Sequence, residues 1–457
     1  MKRIQYFWIF LAAFVLKSLV ALLLPLAGDE TYYWFWGQNL QLSYFDHPPV
    51  VAWLTRSSDL FSFFPKSLAL RFPFVVVSSF TVLIWLKVFE LTSGLADLGK
   101  SNSSKLSIGV DVLARSSLWM TAALLFINPL LGPGGVIASP DVPLVFFWGL
   151  SFLMLLQMLR SGSIVWYALF GLCLGLGFSS KYHIVLFIPA SLVYLFYSKQ
   201  FSQIRWKLVP FTLLMGILGS APVLIWNYLN DWQSFRFQLN HGLGHSGFEW
   251  HWSVTYLCGQ MLLLGPVLFF VAISQTKSKR SLSMSWFQWL FFFYSSFKAP
   301  VEANWPIVAH AQASSHVRTN SKWIKIHFGY FILLYFGLAM ILQTDWGQQK
   351  WNKLPQSAGI STVIDDIKNL RPIYGPSYQI ASLFSYVYDL PMQKLPGLGR
   401  YDFYDRLAEK KSNHVEKRFY LLKFESTPWP LSINPLSKKL LKSFRYMNLE
   451  LYEVDNE

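Results

Sequence analysis

Apolar positions fall into long runs separated by short polar stretches. Runs at about residues 4–26, 72–91, 118–131, 142–159, 164–178, 184–197, 208–226, 254–274, 286–297 and 326–342 predict membrane-spanning helices. Several of them approach the roughly 20 residues that cross a bilayer. Residues 306–316 are short and polar for a span. With Lys2-Arg3 inside the cell, counting spans puts most short basic loops inside, among them those with Lys100, Lys105 and Arg115, with Lys199, Arg205 and Lys207, and with Lys277, Lys279 and Arg280. That is the positive-inside distribution. The loops at about 27–70, 132–141, 179–183, 227–252 and 298–305 then face outside. Arg318, Lys322 and Lys325 lie inside only if residues 306–316 cross; otherwise the tail is cytoplasmic. The pattern gives an α-helical polytopic membrane protein with about 11 transmembrane helices over residues 1–345.

Residues 346–457 have soluble composition. Helical spacing over 360–370 and 378–387, and strand-like stretches at 418–425 and 445–454, predict a small α/β domain on the outer side. The first run could also be read as a secretory signal, since Leu26-Ala27-Gly28 loosely resembles a cleavage site. Its spanning length, and the acidic motif that cleavage would leave at a new terminus, favour an uncleaved anchor.

Composition fits this picture: 53% of the chain is hydrophobic, 18% aromatic and 14% charged. The formal net charge of +15 raises nucleic-acid binding. The basic residues, however, sit in short loops and in the tail, at Lys410-Lys411 and Lys438-Lys439, with no basic helix or zinc-ligand spacing. Cys173 and Cys258 lie in apolar runs and read as core residues rather than a disulfide.

The chemistry gathers in the outer loops. Asp29-Glu30 directly follows the first apolar run, and carboxylates at a lipid boundary are costly to hold. They fit a general base for an acceptor hydroxyl or amine beside a substrate-positioning carboxylate, or else a simple helix end. Asp46-His47-Pro48-Pro49 reads as a rigid turn beginning a helix, with His47 for a phosphate and Asp46 for a divalent metal, or as a surface turn. Asp141 heads a span, where it serves a site or caps the helix. Lys181 and Arg71 bind a lipid phosphate or snorkel to headgroups. Glu302, Asn304 and Trp305 suit sugar handling. His241, in a histidine-rich loop, could join Asp46 at a metal. The absence of a phosphate-binding glycine loop or dinucleotide fingerprint argues against a nucleotide cofactor. A lipid-phosphate sugar donor suits these parts, because its leaving group needs no acid and one carboxylate base suffices. A transporter of lipid-linked sugars and a non-catalytic scaffold are the competing classes. Ionisable groups at one set of span ends favour the enzyme over the transporter.

Gly28-Asp29-Glu30, Tyr44-Phe45-Asp46-His47-Pro48-Pro49, Arg71-Phe72-Pro73, Ser139-Pro140-Asp141, Ser180-Lys181-Tyr182 and Val301-Glu302-Ala303-Asn304-Trp305-Pro306 occur in a familiar order. Over about residues 5–345 the chain resembles bacterial membrane glycosyltransferases related to protein O-mannosyltransferases and lipid A aminoarabinose transferases. The resemblance implies the GT-C fold in a bacterial inner membrane, with an active site facing the periplasm. It implies a polyprenyl-phosphate sugar donor and a lipid, glycan or protein acceptor. Asp29 would be the catalytic carboxylate, with Glu30 beside it and Asp141 and Lys181 lining the cavity. Asp46-His47 stands where the aminoarabinose branch has a glutamate and a lysine that handle metal and donor phosphate. Two extra residues follow Lys298, and an alanine, Ala303, replaces the family's proline.

Overall fold

The computed structural model describes residues 2–93, 117–243, 247–274, 279–316, 320–342, 344, 361–410, 415–430, 433, 435–444 and 448–456. Every apolar run named above is helical. The helices are α1 (Lys2–Leu23), α2 (Gly28–Gln38), α3 (Val50–Ser57), α4 (Lys66–Thr92), α5 (Ser117–Ile127), α6 (Asp141–Ser161), α7 (Ile164–Phe178), α8 (Phe187–Ser198) and α9 (Val209–Leu229). They continue with α10 (Gln233–Leu243), α11 (Trp250–Leu264), α12 (Pro266–Ser274), α13 (Lys279–Ser295), α14 (Ile307–His316) and α15 (Ser321–Leu342). Among the described residues, five helices are long and apolar enough to cross a membrane. A sixth is added if α11 and α12, bent by 103°, form one span. Large apolar side chains such as Leu213, Ile217, Ile332 and Leu333 point outward from α9 and α15. Apolar surface of this extent belongs against lipid, and the protein is a multi-pass membrane protein. The basic loop with Lys100, Lys105 and Arg115 lies outside the described residues.

The chain forms two compact units. The first comprises residues 1–21, 42–51 and 71–335. Its core joins Trp85, Trp148, Phe152, Phe187 and Tyr194. Helices α7 and α9 touch backbone to backbone there. A Cβ on Gly175 would stand 2.3 Å from the Gly216 carbonyl, whereas one on Gly216 would meet only Gly171 O at 3.5 Å. Close approach through small residues is how membrane helices gain packing contact. Gly175→Ala should therefore destabilise the unit by about 1–3 kcal/mol, the usual range for overpacking. Gly216→Ala should stay within about 0.5 kcal/mol. Thermal unfolding of the two variants in detergent checks the contrast.

The polar segment 306–316 has a physical explanation here. All ten residues of α14 are buried, packed against α6, α12 and α13, so its polar side chains meet protein rather than lipid.

The second unit comprises residues 22–41, 52–70 and 336–457. Its tail part holds α16 (Ser361–Ile367), α17 (Tyr378–Val387), α18 (Phe403–Lys410) and five strands. The strands are β1 (Ile373–Gly375), β2 (Gln393–Lys394), β3 (Arg418–Phe424), β4 (Pro435–Phe444) and β5 (Leu449–Asn456), in the order β2-β1-β3-β5-β4. β1 pairs in parallel with β2 and β3; β5 pairs antiparallel with β3 and β4. The sequence pointed to β3 and β5 and missed β4. Lys394 is buried against Asp402, at 2.8 Å, and against Asp405. Burial pushes the Asp402 carboxyl up to about 6, against the opposing pull of the Lys394 charge.

This unit also contains α2, directly after α1. The α2 aromatics pack on the tail: Tyr32 lies 4.3 Å from Tyr378, and Phe35 stacks on Tyr404 at 4.1 Å, ring centre to ring centre. The Phe403 N–H donates to the Tyr32 hydroxyl at 2.9 Å.

Candidate functional site

In the first unit, three motifs far apart in sequence meet at one carboxylate. Asp141 is the first residue of α6, where the unpaired N–H groups and the helix dipole favour negative charge. Its Oδ1 accepts from Lys181 Nζ at 2.7 Å and its Oδ2 from Asn304 Nδ2 at 2.8 Å. Both partners of the ion pair are almost fully buried, with side-chain exposures of 8% for Lys181 and 11% for Asp141. Lys181 sits in the turn that ends α7. Gly177 O accepts its backbone N–H, and Ser179 O in the same turn accepts the Val50 N–H at 3.0 Å. That bond ties the start of α3, and with it the Asp46-His47-Pro48-Pro49 turn, to the Lys181 turn. Pro48 and Pro49 do lead directly into α3. Asp46 is buried, and its carbonyl accepts from Gln238 Nε2 at 2.6 Å. Trp305 packs against His183 and Phe292, at 5.5 and 5.8 Å between ring centres.

The remaining sequence candidates of this unit lie otherwise. Arg71 is 1% exposed and donates to the Ala21 carbonyl in the last turn of α1 at 3.0 Å. That bond occupies one of the last carbonyls of α1. The Glu302 side chain is exposed, while Asn304 and Trp305 are half-buried. The His241 side chain lies outside the described residues. Among the described residues, no three His, Cys, Asp or Glu side chains gather as a metal would need.

A polar chain lies behind Asn304 that the motifs did not name. Gln260 Nε2 donates to the Ala303 carbonyl at 3.1 Å, and Gln260 Oε1 lies 2.7 Å from His310 Nε2. His310 Nδ1 lies 3.3 Å from Asn128 Nδ2, and Asn128 Oδ1 accepts the Leu130 N–H. The donors and acceptors balance when His310 carries its hydrogen on Nε2 and accepts on Nδ1. The chain braces the backbone beside Asn304 and so the ligand set of Asp141. The only sequence signal was the unusual polarity of 306–316. Gln260→Leu should cost about 2 kcal/mol, because it strands the His310 N–H in a buried site and removes the donor to the Ala303 carbonyl. A thermal shift in detergent reads it.

In the second unit, Asp29 and Glu30 form the first turn of α2 rather than the end of α1. Glu30 is 1% exposed, and its Oε1 accepts the Ala27 N–H at 3.0 Å, which caps the helix. Asp29 is half-buried, and Gln379 Nε2 of the tail lies 3.4 Å from its Oδ1. Asp29 thus keeps a carboxylate at a helix N-terminus with partial access to solvent.

Residues 112–226 match the family described as dolichyl-phosphate-mannose-protein mannosyltransferase. The chain is 24% identical to the lipid A galacturonosyltransferase RgtD of Rhizobium johnstonii over 54% of its own length and 48% of the relative, so it spans about half the curated relative it matches. Its structure is similar to ArnT from Cupriavidus metallidurans bound to undecaprenyl phosphate, with a TM-score of 0.62 and 12% identity over 97% of both chains. The apo state of the same ArnT gives 0.60 and 12% over 99% of this chain and 98% of that one.

Proposed function

We propose that the chain is a membrane glycosyltransferase of the GT-C superfamily and that it transfers a sugar from a polyprenyl phosphate to a lipid acceptor at the outer face of a bacterial inner membrane. The observation that carries this reading is the convergence of Asp141, Lys181 and Asn304. Three residues from three span ends meet in one buried, charged cluster, a costly arrangement that a packing role alone does not call for. A lipid acceptor is favoured over a glycan or protein by the likeness to a lipid A galacturonosyltransferase.

In the proposed reaction, Asp29 takes the proton of an acceptor hydroxyl as its oxygen attacks the anomeric carbon. The bond between that carbon and the phosphate oxygen breaks, and the electron pair leaves on the polyprenyl phosphate. Lys181, held in place by Asp141, is the cation proposed to offset the charge of the departing phosphate. His47 can donate to the same group. Direct displacement inverts the anomeric centre. Metal use through Asp46 and His241 is a separate proposal, read by whether a chelator stops turnover, and no step above depends on it.

A second reading, a flippase of lipid-linked sugar, draws on the break between α11 and α12 and the buried His310. Isotope-labelled polyprenyl-phosphate sugars, offered to the protein in lipid with an envelope extract, separate the two. The enzyme puts the label on an acceptor lipid with inverted configuration. A flippase changes only the leaflet in which the intact donor resides, and that outcome would sink the transfer reading.

A further inference from the structure

Within the second unit the tail holds α2 at two places beside Asp29. The first is Gln379, the second residue of α17. Its Nε2 lies 3.4 Å from Asp29 Oδ1, and it is the one side-chain partner of that carboxylate among the described residues. A donor on Oδ1 restrains the plane of the carboxylate and leaves Oδ2 for a substrate proton. α17 is itself held at both ends. The Ser377 hydroxyl accepts the Ile380 N–H at its start. At its end, Lys66 Nζ donates to the Tyr386 and Val387 carbonyls at 2.9 and 3.1 Å.

The second is Tyr32, three residues after Asp29 and so on the same face of α2. It is 2% exposed, and its hydroxyl accepts the Phe403 N–H at 2.9 Å. That N–H opens α18, where a helix leaves its first donors without a partner of its own. The rest of this helix start is locked. Asp402 Oδ1 accepts the Tyr404 N–H at 2.8 Å, and Asp405 Oδ2 accepts the Asp402 N–H at 2.9 Å, a reciprocal capping box. Lys394 donates to both carboxylates and to the Arg400 carbonyl, and Asp405 Oδ1 accepts the Gly397 N–H. Every oxygen of the two carboxylates is thus engaged, as are the three donors of the ammonium. A buried network satisfied in full is rigid, so α18 begins from a fixed point. Ser382 Oγ lies 3.1 Å from the Tyr404 hydroxyl and joins α17 to the same frame.

We propose that Gln379 and Tyr32 are positioning residues for Asp29: Gln379 sets the orientation of its carboxylate, and Tyr32, anchored on the start of α18, sets the face of α2 that carries it. The tail then serves the reaction by holding the base still, and neither residue needs to touch donor or acceptor. This inference rests on the proposed role of Asp29 as the base.

The test is a double-mutant cycle on turnover by the full-length protein in lipid, with polyprenyl-phosphate sugars as donors and an envelope extract as acceptor. Gln379→Leu and Tyr32→Phe are each measured alone and combined with Asp29→Asn. Each alone should lower kcat by about tenfold, since a base displaced by about 1 Å can lose about 10²-fold. KM for the donor should stay within about twofold, because neither residue binds it. Combined with Asp29→Asn, each should change turnover by less than about twofold, because no base is left to position. A purely structural loss would be the same in both backgrounds. Gln379→Leu removes only a half-buried amide contact and should keep the unfolding temperature of wild type. It decides the matter if Tyr32→Phe, which strands the buried Phe403 N–H, does not fold. Wild-type turnover by Gln379→Leu, or an equal loss with and without the Asp29 carboxylate, overturns the positioning role. The proposed function still stands in that case if Asp29→Asn alone abolishes turnover. Turnover retained by Asp29→Asn, or absent from wild type with every donor, overturns both.

Discussion

Asp29→Asn is expected to lower turnover by on the order of 10³-fold while leaving the protein folded. The size follows from the role: a positioned general base contributes about 10²–10⁴, and an amide cannot accept the acceptor's proton. Folding should survive because the carboxylate is half-buried and, among the described residues, its side chain meets a single long contact from Gln379, which the Asn carbonyl can still accept. The remaining loss is the favourable position of a negative charge at the start of α2, about 0.3–1 kcal/mol. Asp29→Glu separates charge from placement. It keeps a base but moves it by one methylene, and a shift of about 1 Å can cost about 10²-fold. Steady-state release of polyprenyl phosphate, beside thermal unfolding of each variant, checks both numbers. A turnover for Asp29→Asn within a few-fold of wild type would remove Asp29 from the chemistry.

Lys181→Met should damage stability and turnover together. Asp141 would stay buried with only Asn304 and the α6 N-terminus to offset its charge. Removing one partner of a buried ion pair typically costs about 3–5 kcal/mol, and the lower end applies here because those two groups remain. Adding Asp141→Asn should recover most of the stability, since the stranded charge is gone, and the difference gives the pair's coupling. Turnover should not recover, because the cation proposed to offset the departing phosphate is still missing. Recovery of both would make the pair purely structural.

Much of the helical framework was legible because a membrane span needs only a long apolar run. The segment 306–316 was harder. Its polarity was plain, but only packing against α6, α12 and α13 shows that it is sheltered. The first-loop aromatics looked like an interfacial belt. Their partners, Tyr378, Phe403 and Tyr404, lie at the far end of the chain, beyond any local pattern. β4 escaped notice because it is an edge strand exposed on nearly every residue. With no buried face, it carries no alternation, and Lys438 and Lys439 read as a charged loop.

The site was legible in parts. The motif order pointed to Asp141, Lys181 and Asn304, while spacing alone could not place three span ends at one carboxylate. Glu30 and Arg71 looked like substrate groups from sequence; the structure adds that Glu30 accepts the Ala27 N–H and Arg71 donates to the Ala21 carbonyl. Gln260 and Asn128 are lone amides in apolar surroundings, which sequence does not separate from packing residues.

The most direct test is release of polyprenyl phosphate from a panel of polyprenyl-phosphate sugars, with wild type and Asp29→Asn run side by side in lipid and an envelope extract as acceptor. The account predicts release from at least one donor by wild type and almost none by Asp29→Asn. Equal release by both proteins, or none from any donor with folded protein and a competent extract, would contradict it.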